Sequence, residues 1–189
     1  PLNIKTVKKL SKKKIKINFF EPKNKYLKII NIGRLTDQKD HITLIKAIDL
    51  IKKDFPIKLI IIGKGKNKQK INLEIKRRGL GKIVKLLGYK KNPYNFIKIS
   101  DLFILSSKFE GLPNVLMETM VLKRFIISSD CPTGPSEILE NGKLGYLFKV
   151  SNHLQLANKI KKYSKKKKKL KKVINKAHLS LKKFNFEKN

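Results

Sequence analysis

Short β-branched apolar runs alternate through the middle of this chain with longer stretches of helical period, and that alternation most restricts its fold. Leu27 to Ile32, Ile57 to Ile62, Ile83 to Leu87, Leu102 to Leu105, Phe125 to Ser128 and Gly145 to Phe148 read as strands. Each is short and apolar along its length, as strands buried on both faces are. Helices are expected near 40–53, 68–78, 93–98, 113–122, 135–140 and 151–163, where apolar residues recur three or four apart, as in Leu44, Ala47, Ile48 and Ile51. Strands joined by helical crossovers make an α/β fold: a Rossmann-like, doubly wound parallel sheet of about six strands. Ligands of such sheets bind beyond the carboxyl ends of the strands, which directs attention to the loops Gly33 to Lys39, Gly63 to Lys68 and Ser106 to Pro113.

The formal charge of +34 suggests a polyanion partner, but of the 47 basic residues only Arg34, Arg77, Arg78 and Arg124 are arginine. Proteins that read phosphates and bases lean on the bidentate guanidinium, so no specific nucleic acid is expected. The excess of Lys, with abundant Ile and Asn, matches a coding bias toward A and T. Residues 1–26 and 164–189 are Lys-rich and weakly patterned, and "KKYSKKKKKLKKV" reads as a solvated helix or a frayed tail. These ends could hold the chain on an anionic membrane surface. The alternative they leave open is a basic, non-catalytic anion-binding module or a degenerate remnant. Cys131 stands alone, which excludes an intramolecular disulfide and fits a reducing cytoplasm. No run approaches the roughly 18 apolar residues of a membrane span, so a soluble or peripheral protein is expected. The chain begins at Pro1 without an initiator Met and reads as part of something longer.

Three loops carry chemistry. The first, "NIGRLTDQKDH", puts Arg34 directly after the strand-ending Gly33, with Lys39 five residues on. A guanidinium, a Lys point charge and the N–H groups of a helix start together suit a diphosphate. The second, "IIIGKGKNKQ", has a G-x-G without the third glycine of a dinucleotide fingerprint and reads as a tight turn needing positive backbone angles. In the third, "LFILSSKFEGLPNVLMETM", Glu110 lies past the strand and Gly111 admits close backbone approach, while Pro113 suits the first turn of the next helix. The N–H groups of Gly111, Leu112, Asn114 and Val115 would face an anion. Glu118 follows eight positions after Glu110. It could accept from a ribose diol while Glu110 reaches sugar hydroxyls; the plainer alternative has Glu110 stabilising the helix start by charge and Glu118 exposed. No Asp-x-Asp or His cluster suggests a metal, nor does "NFFEPKNK".

"GRLTDQKD", "GKG", "EGLPNVLME" and "CPTGPSEIL…NGKLGYLF", in this order, resemble the C-terminal half of a family-four retaining glycosyltransferase of the GT-B fold, over about residues 1–163. The resemblance implies that residues 1–163 bind a nucleotide sugar, with 1–26 as a connection and 164–189 as a Lys-rich helix or tail. It implies that Arg34 and Lys39 contact the donor diphosphate, Glu110 the transferred sugar and Glu118 the ribose, with the base near the backbone of Tyr89 and Lys90. Glu110, Arg34 and Lys39 are then the catalytic candidates, and no cofactor or metal is required. The implied activity is retaining transfer of a hexose or N-acetylhexosamine from a nucleoside-diphosphate sugar, with uridine as the expected base, to a saccharide or lipid-linked acceptor. Thr119 and Ser136 depart from the pattern, standing where Ala and Lys are common. The acceptor is expected to bind a separate N-terminal domain.

Overall fold

The computed structural model describes residues 2–15, 17–20 and 26–184. Six strands, β1 (Leu27–Ile32), β2 (Ile57–Ile62), β3 (Val84–Leu86), β4 (Leu102–Leu105), β5 (Phe125–Ser129) and β6 (Tyr146–Phe148), form one sheet in the order β3-β2-β1-β4-β5-β6. Every pairing is parallel. Among the described residues eight α-helices surround it: α1 (Ile4–Ser11), α2 (His41–Ile51), α3 (Lys68–Arg77), α4 (Tyr94–Ile99), α5 (Asn114–Val121), α6 (Pro135–Ile138), α7 (His153–Lys166) and α8 (Lys171–Ser180).

The strands are largely apolar along their length because each face of the sheet has its own core. Successive residues of a strand point to opposite faces. Ile29, Leu59, Ile61, Ile104 and Ile127 therefore pack under α2, α3 and α7, while Ile30, Ile60, Ile62, Phe103 and Ile126 pack under α1, α4 and α5. The Leu44, Ala47, Ile48 and Ile51 face of α2 is buried, as its spacing requires. The α/β, doubly wound Rossmann-like class read from the alternation is the fold observed. The expected edges of β3 shift inward by one residue, yet the flanking ladder bonds persist: Leu59 N donates to Ile83 O at 2.8 Å and Leu87 N to Ile61 O at 2.9 Å.

The Lys-rich ends are more ordered than weak patterning suggests. Asn3 caps α1 by accepting from Thr6 N at 2.8 Å, and Val7 of that helix is buried. Residues 164–180 continue α7 and form α8, whose Ala177 is buried, as is Leu181 just beyond. His178 Nδ1 lies 3.1 Å from Met120 O, tying α8 to α5. A few apolar residues spaced to one side suffice, because the Lys stems lie along the surface with their charges in water. Residues 185–189, and the "EPKNK" of the stretch weighed for metal ligands, lie outside the described residues. No helix among the described residues is long and apolar enough to cross a membrane.

Candidate functional site

The chain reverses direction across the sheet between β1 and β4, where β1 continues outward to β2 and β4 to β5. Loops leaving two such neighbours diverge and open a crevice at their carboxyl ends. Gly33 and Arg34 leave β1 on one lip; Ser106 to Glu110 leave β4 on the other.

On the β1 side a cleft of about 410 Å³ is lined by Gly33, Arg34, Lys64, Tyr89, Lys90 and Tyr94, among others. It brings together Gly33, Arg34, Tyr89 and Lys90, four of the residues singled out from sequence. Arg34 is exposed and makes no ion pair among the described residues. Tyr89 is 64% exposed, with Lys64 Nζ 5.6 Å from its ring centre. The G-x-G of the second loop serves close approach more than turn geometry. A Cβ on Gly63 would stand 1.9 Å from Gly33 O, and one on Gly65 2.5 Å from Leu35 O. The two loops thus pack backbone to backbone, closed by Gly33 N to Ile62 O at 3.0 Å and Leu35 N to Lys64 O at 3.0 Å.

Lys39 turns the other way. It ends a short 3-10 turn (Asp37–Lys39) ahead of α2, which Asp40 caps in the left-handed conformation by accepting from Thr43 N. The Lys39 stem lies against Gly33, 3.4 Å from where a Cβ would stand. Its ammonium meets Glu110 Oε1 at 2.5 Å, with the side chains only 16% and 7% exposed. Ser107 Oγ donates to the same oxygen at 2.5 Å. The lips are also stitched by Lys108 N to Gln38 O at 2.7 Å, Gln38 Nε2 to Phe109 O at 2.9 Å and Ser106 Oγ to Lys39 O at 2.9 Å. Thr133 Oγ1 holds Glu110 O at 2.6 Å from the β5–α6 loop. Gly134 behind it has φ +85, and a Cβ there would lie 2.2 Å from Gly111 O. Glu110 is therefore an anchored carboxylate with a cation on it, and neither a free one nor a mere cap of α5.

Helix α5 starts at Asn114, one residue later than the expected first turn; Pro113 stands at its N-cap and no side chain caps it. Gly111, Leu112 and Asn114 are exposed there. Glu118, one turn on, is half-buried, and Tyr94 OH donates to its Oε1 at 3.0 Å. Burial pushes the Glu118 carboxyl up, opposed by that hydrogen bond. Burial, with the Glu118 charge, also pushes Tyr94 up to about 12. Thr119, where Ala is common, fits because its hydroxyl donates back to Val115 O at 2.7 Å. Sequence reasoning missed Tyr94, Ser107 and Thr133, whose partners lie on other loops.

Across the Gly33–Asp40 loop from the cleft lies a second cavity of about 200 Å³, lined by Thr36, Asp37, His41, Lys70 and Lys108 among others. Thr36 Oγ1 and both ring nitrogens of His41 are buried there without a hydrogen-bond partner. Burial lowers His41 from 6.5 to about 4.

Comparison with known proteins identifies the family and the fold. The family model described as "Glycosyl transferases group 1" matches residues 12–179. An uncharacterized glycosyltransferase of Methanocaldococcus jannaschii is 47% identical over 58% of this chain and 27% of its own length. The poly(ribitol-phosphate) alpha-N-acetylglucosaminyltransferase of Staphylococcus aureus is 34% identical over 69% of this chain and 27% of its own length. The chain thus spans about a third or less of these relatives. Among solved structures, S. aureus TarM in complex with UDP, alpha-GlcNAc-glycerol and fondaparinux superposes with a TM-score of 0.77 at 30% identity, covering 89% of this chain and 34% of that one. The C-terminal domain of a group 1 glycosyl transferase from Francisella tularensis has the same fold, with a TM-score of 0.74 at 22% identity over 88% of both chains. With its family model matching residues 12–179, this chain belongs to the group 1 glycosyl transferases.

Proposed function

We propose that this chain is the donor-binding part of a retaining glycosyltransferase, taking a hexose or N-acetylhexosamine from a uridine diphosphate sugar to a saccharide or lipid-linked acceptor. The observation that carries this reading is the exposed Arg34 guanidinium, free of carboxylates among the described residues, lining a cleft of about 410 Å³ together with Tyr89 and Lys90. A nucleoside fits there by the backbone of Tyr89 and Lys90, the ribose toward Glu118, and the diphosphate between Arg34 and the uncapped start of α5. Backbone N–H groups of Gly111, Leu112, Asn114 and Val115 add to the dipole there. As the glycosidic bond breaks, negative charge grows on the diphosphate, where Arg34, and Lys39 once exchanged from Glu110, neutralise it without calling on a metal ion. Glu110 faces the sugar, whose reacting carbon becomes positive. The relatives' names support the class. One in Campylobacter jejuni, 35% identical over 66% of this chain, transfers N-acetylgalactosamine to a diphospho-undecaprenol acceptor, and the TarM structure contains UDP.

Calorimetric titration of Arg34→Ala against the unaltered chain tests the diphosphate assignment. A charge-assisted hydrogen bond contributes about 1.5–3 kcal/mol, so UDP should bind on the order of 10- to 100-fold more weakly to the variant, with uridine affinity unchanged. Equal loss for uridine and UDP would place Arg34 away from the diphosphate.

A further inference from the structure

Glu118 does not stand alone on α5: Tyr94, which lines the cleft, donates to it. We propose that Tyr94 is its positioning residue: the Tyr94 hydroxyl occupies Oε1 and so presents Oε2 to the ribose, which makes Tyr94 a determinant of selectivity for ribonucleotides over deoxyribonucleotides. This rests on the donor-site reading above and extends it to a residue on a different helix.

Tyr94 opens α4 and lines the cleft, while Glu118 belongs to α5, and the bond between them spans 24 residues of sequence at 3.0 Å. The ring is half-buried against the core under α1, α4 and α5, so the hydroxyl is delivered by a fixed body. Its backbone is fixed too. Asn92 Oδ1 accepts from Tyr94 N at 3.2 Å, and Asn92 Nδ2 donates to Leu10 O at 3.0 Å, hanging the start of α4 from the end of α1. The hydroxyl keeps its proton through the neutral range, because burial and the neighbouring carboxylate hold it up at about 12. It can therefore only donate to Glu118 while that carboxylate is charged. No other partner of Glu118 occurs among the described residues, so Oε2 stays an acceptor for a diol. A carboxylate rotating freely would offer its oxygens to water as readily as to a ribose; one pinned at a single oxygen is preorganised for the other contact.

Tyr94→Phe keeps the ring and removes only the hydroxyl, with Glu118→Gln and the double variant as references. Calorimetry with UDP and 2′,3′-dideoxy-UDP reads the ratio of affinities. The unaltered chain should prefer UDP, and Tyr94→Phe should bind UDP about tenfold more weakly, as loss of one positioned hydrogen bond implies, with the ratio collapsing toward that of Glu118→Gln. In the Glu118→Gln background, removing the hydroxyl should change nothing further. A second readout is pH: the carboxylate form binds the diol, and burial raises the Glu118 carboxyl while the Tyr94 bond partly offsets that rise. The acid-side loss of UDP affinity should therefore move to higher pH in Tyr94→Phe, which loss of packing alone would not cause. Near-native unfolding midpoints for Tyr94→Phe separate these effects from misfolding. If the unaltered chain binds UDP and discriminates against the dideoxy analogue, yet Tyr94→Phe leaves ratio and pH profile in place, the inference fails alone. If the unaltered chain ignores UDP or the ribose hydroxyls, the donor-site reading fails and takes this one with it.

Discussion

Replacing Lys39 with Met removes its charge while keeping the stem that lies against Gly33, and so isolates what the cation does for Glu110. The two groups meet at 2.5 Å with side chains 16% and 7% exposed. Removing one partner of a fully buried pair costs about 3–5 kcal/mol, because the other charge is left uncompensated. Here some exposure remains and Ser107 still donates to Glu110, so the cost of Lys39→Met should be about 2 kcal/mol. Glu110→Gln removes the charge that Lys39 leaves behind, and the double variant should lose much less than the sum of the single ones. Urea unfolding of the four proteins gives the coupling energy, expected at 1–2 kcal/mol by the same reasoning. Additivity to within about 0.5 kcal/mol would refute it. It would mean that Lys39 is not committed to Glu110 in the resting protein. A coupled pair has a functional consequence: a donor diphosphate must compete with Glu110 for Lys39, whereas Arg34 has no carboxylate partner among the described residues.

Two further outcomes follow from backbone and burial. Gly134→Ala should cost about 1–3 kcal/mol from its strained backbone alone, with φ +85 and ψ -64, and more because the new methyl would meet Gly111 O. It should also weaken UDP binding by displacing the Glu110–Pro113 turn, and a variant as stable as its parent would contradict this packing. His41 is held near 4 by burial against 6.5 in an unfolded chain. Below 6.5 the unfolded state takes up a proton that the folded state refuses. Stability should thus fall as pH drops from 6.5 toward 4, by up to about 3 kcal/mol. His41→Phe should flatten that window, and an unchanged slope would assign the loss to other groups.

The sheet was legible because parallel strands covered on both faces are largely apolar and their crossovers amphipathic, so Leu27–Ile32 and His41–Ile51 declare themselves from local pattern. The lips of the crevice were legible too, since Arg34 is one of few arginines and sits at a strand end. What pairs with what was not. Lys39 is one lysine among many in sequence, and only the 3-10 turn and the left-handed Asp40 swing it onto Glu110, 71 residues away. Tyr94 sits in "NPYNF", where an aromatic reads as core, and its hydroxyl finds Glu118 only because α4 and α5 pack on the same face of the sheet. Nor did the Lys-rich ends betray α1 and α8, since one or two apolar residues per turn are too few to stand out among so many lysines.

Whether the crevice between the β1 and β4 loops takes a nucleoside diphosphate is tested most directly by titrating isotope-labelled chain with UDP and following each backbone amide by NMR. Salt at about 0.15 M, with a screening length of about 8 Å, suppresses diffuse attraction to a chain of net charge +34. The expected result is saturable shifts at Gly33, Arg34, Tyr89, Gly111 and Asn114, with the amides of Lys8 and Lys171 unmoved and pyrophosphate a much weaker ligand than UDP. Shifts spread over the Lys-rich helices that vanish with added salt, or equal binding of pyrophosphate and UDP, would contradict the assignment of this crevice as a nucleotide-sugar site.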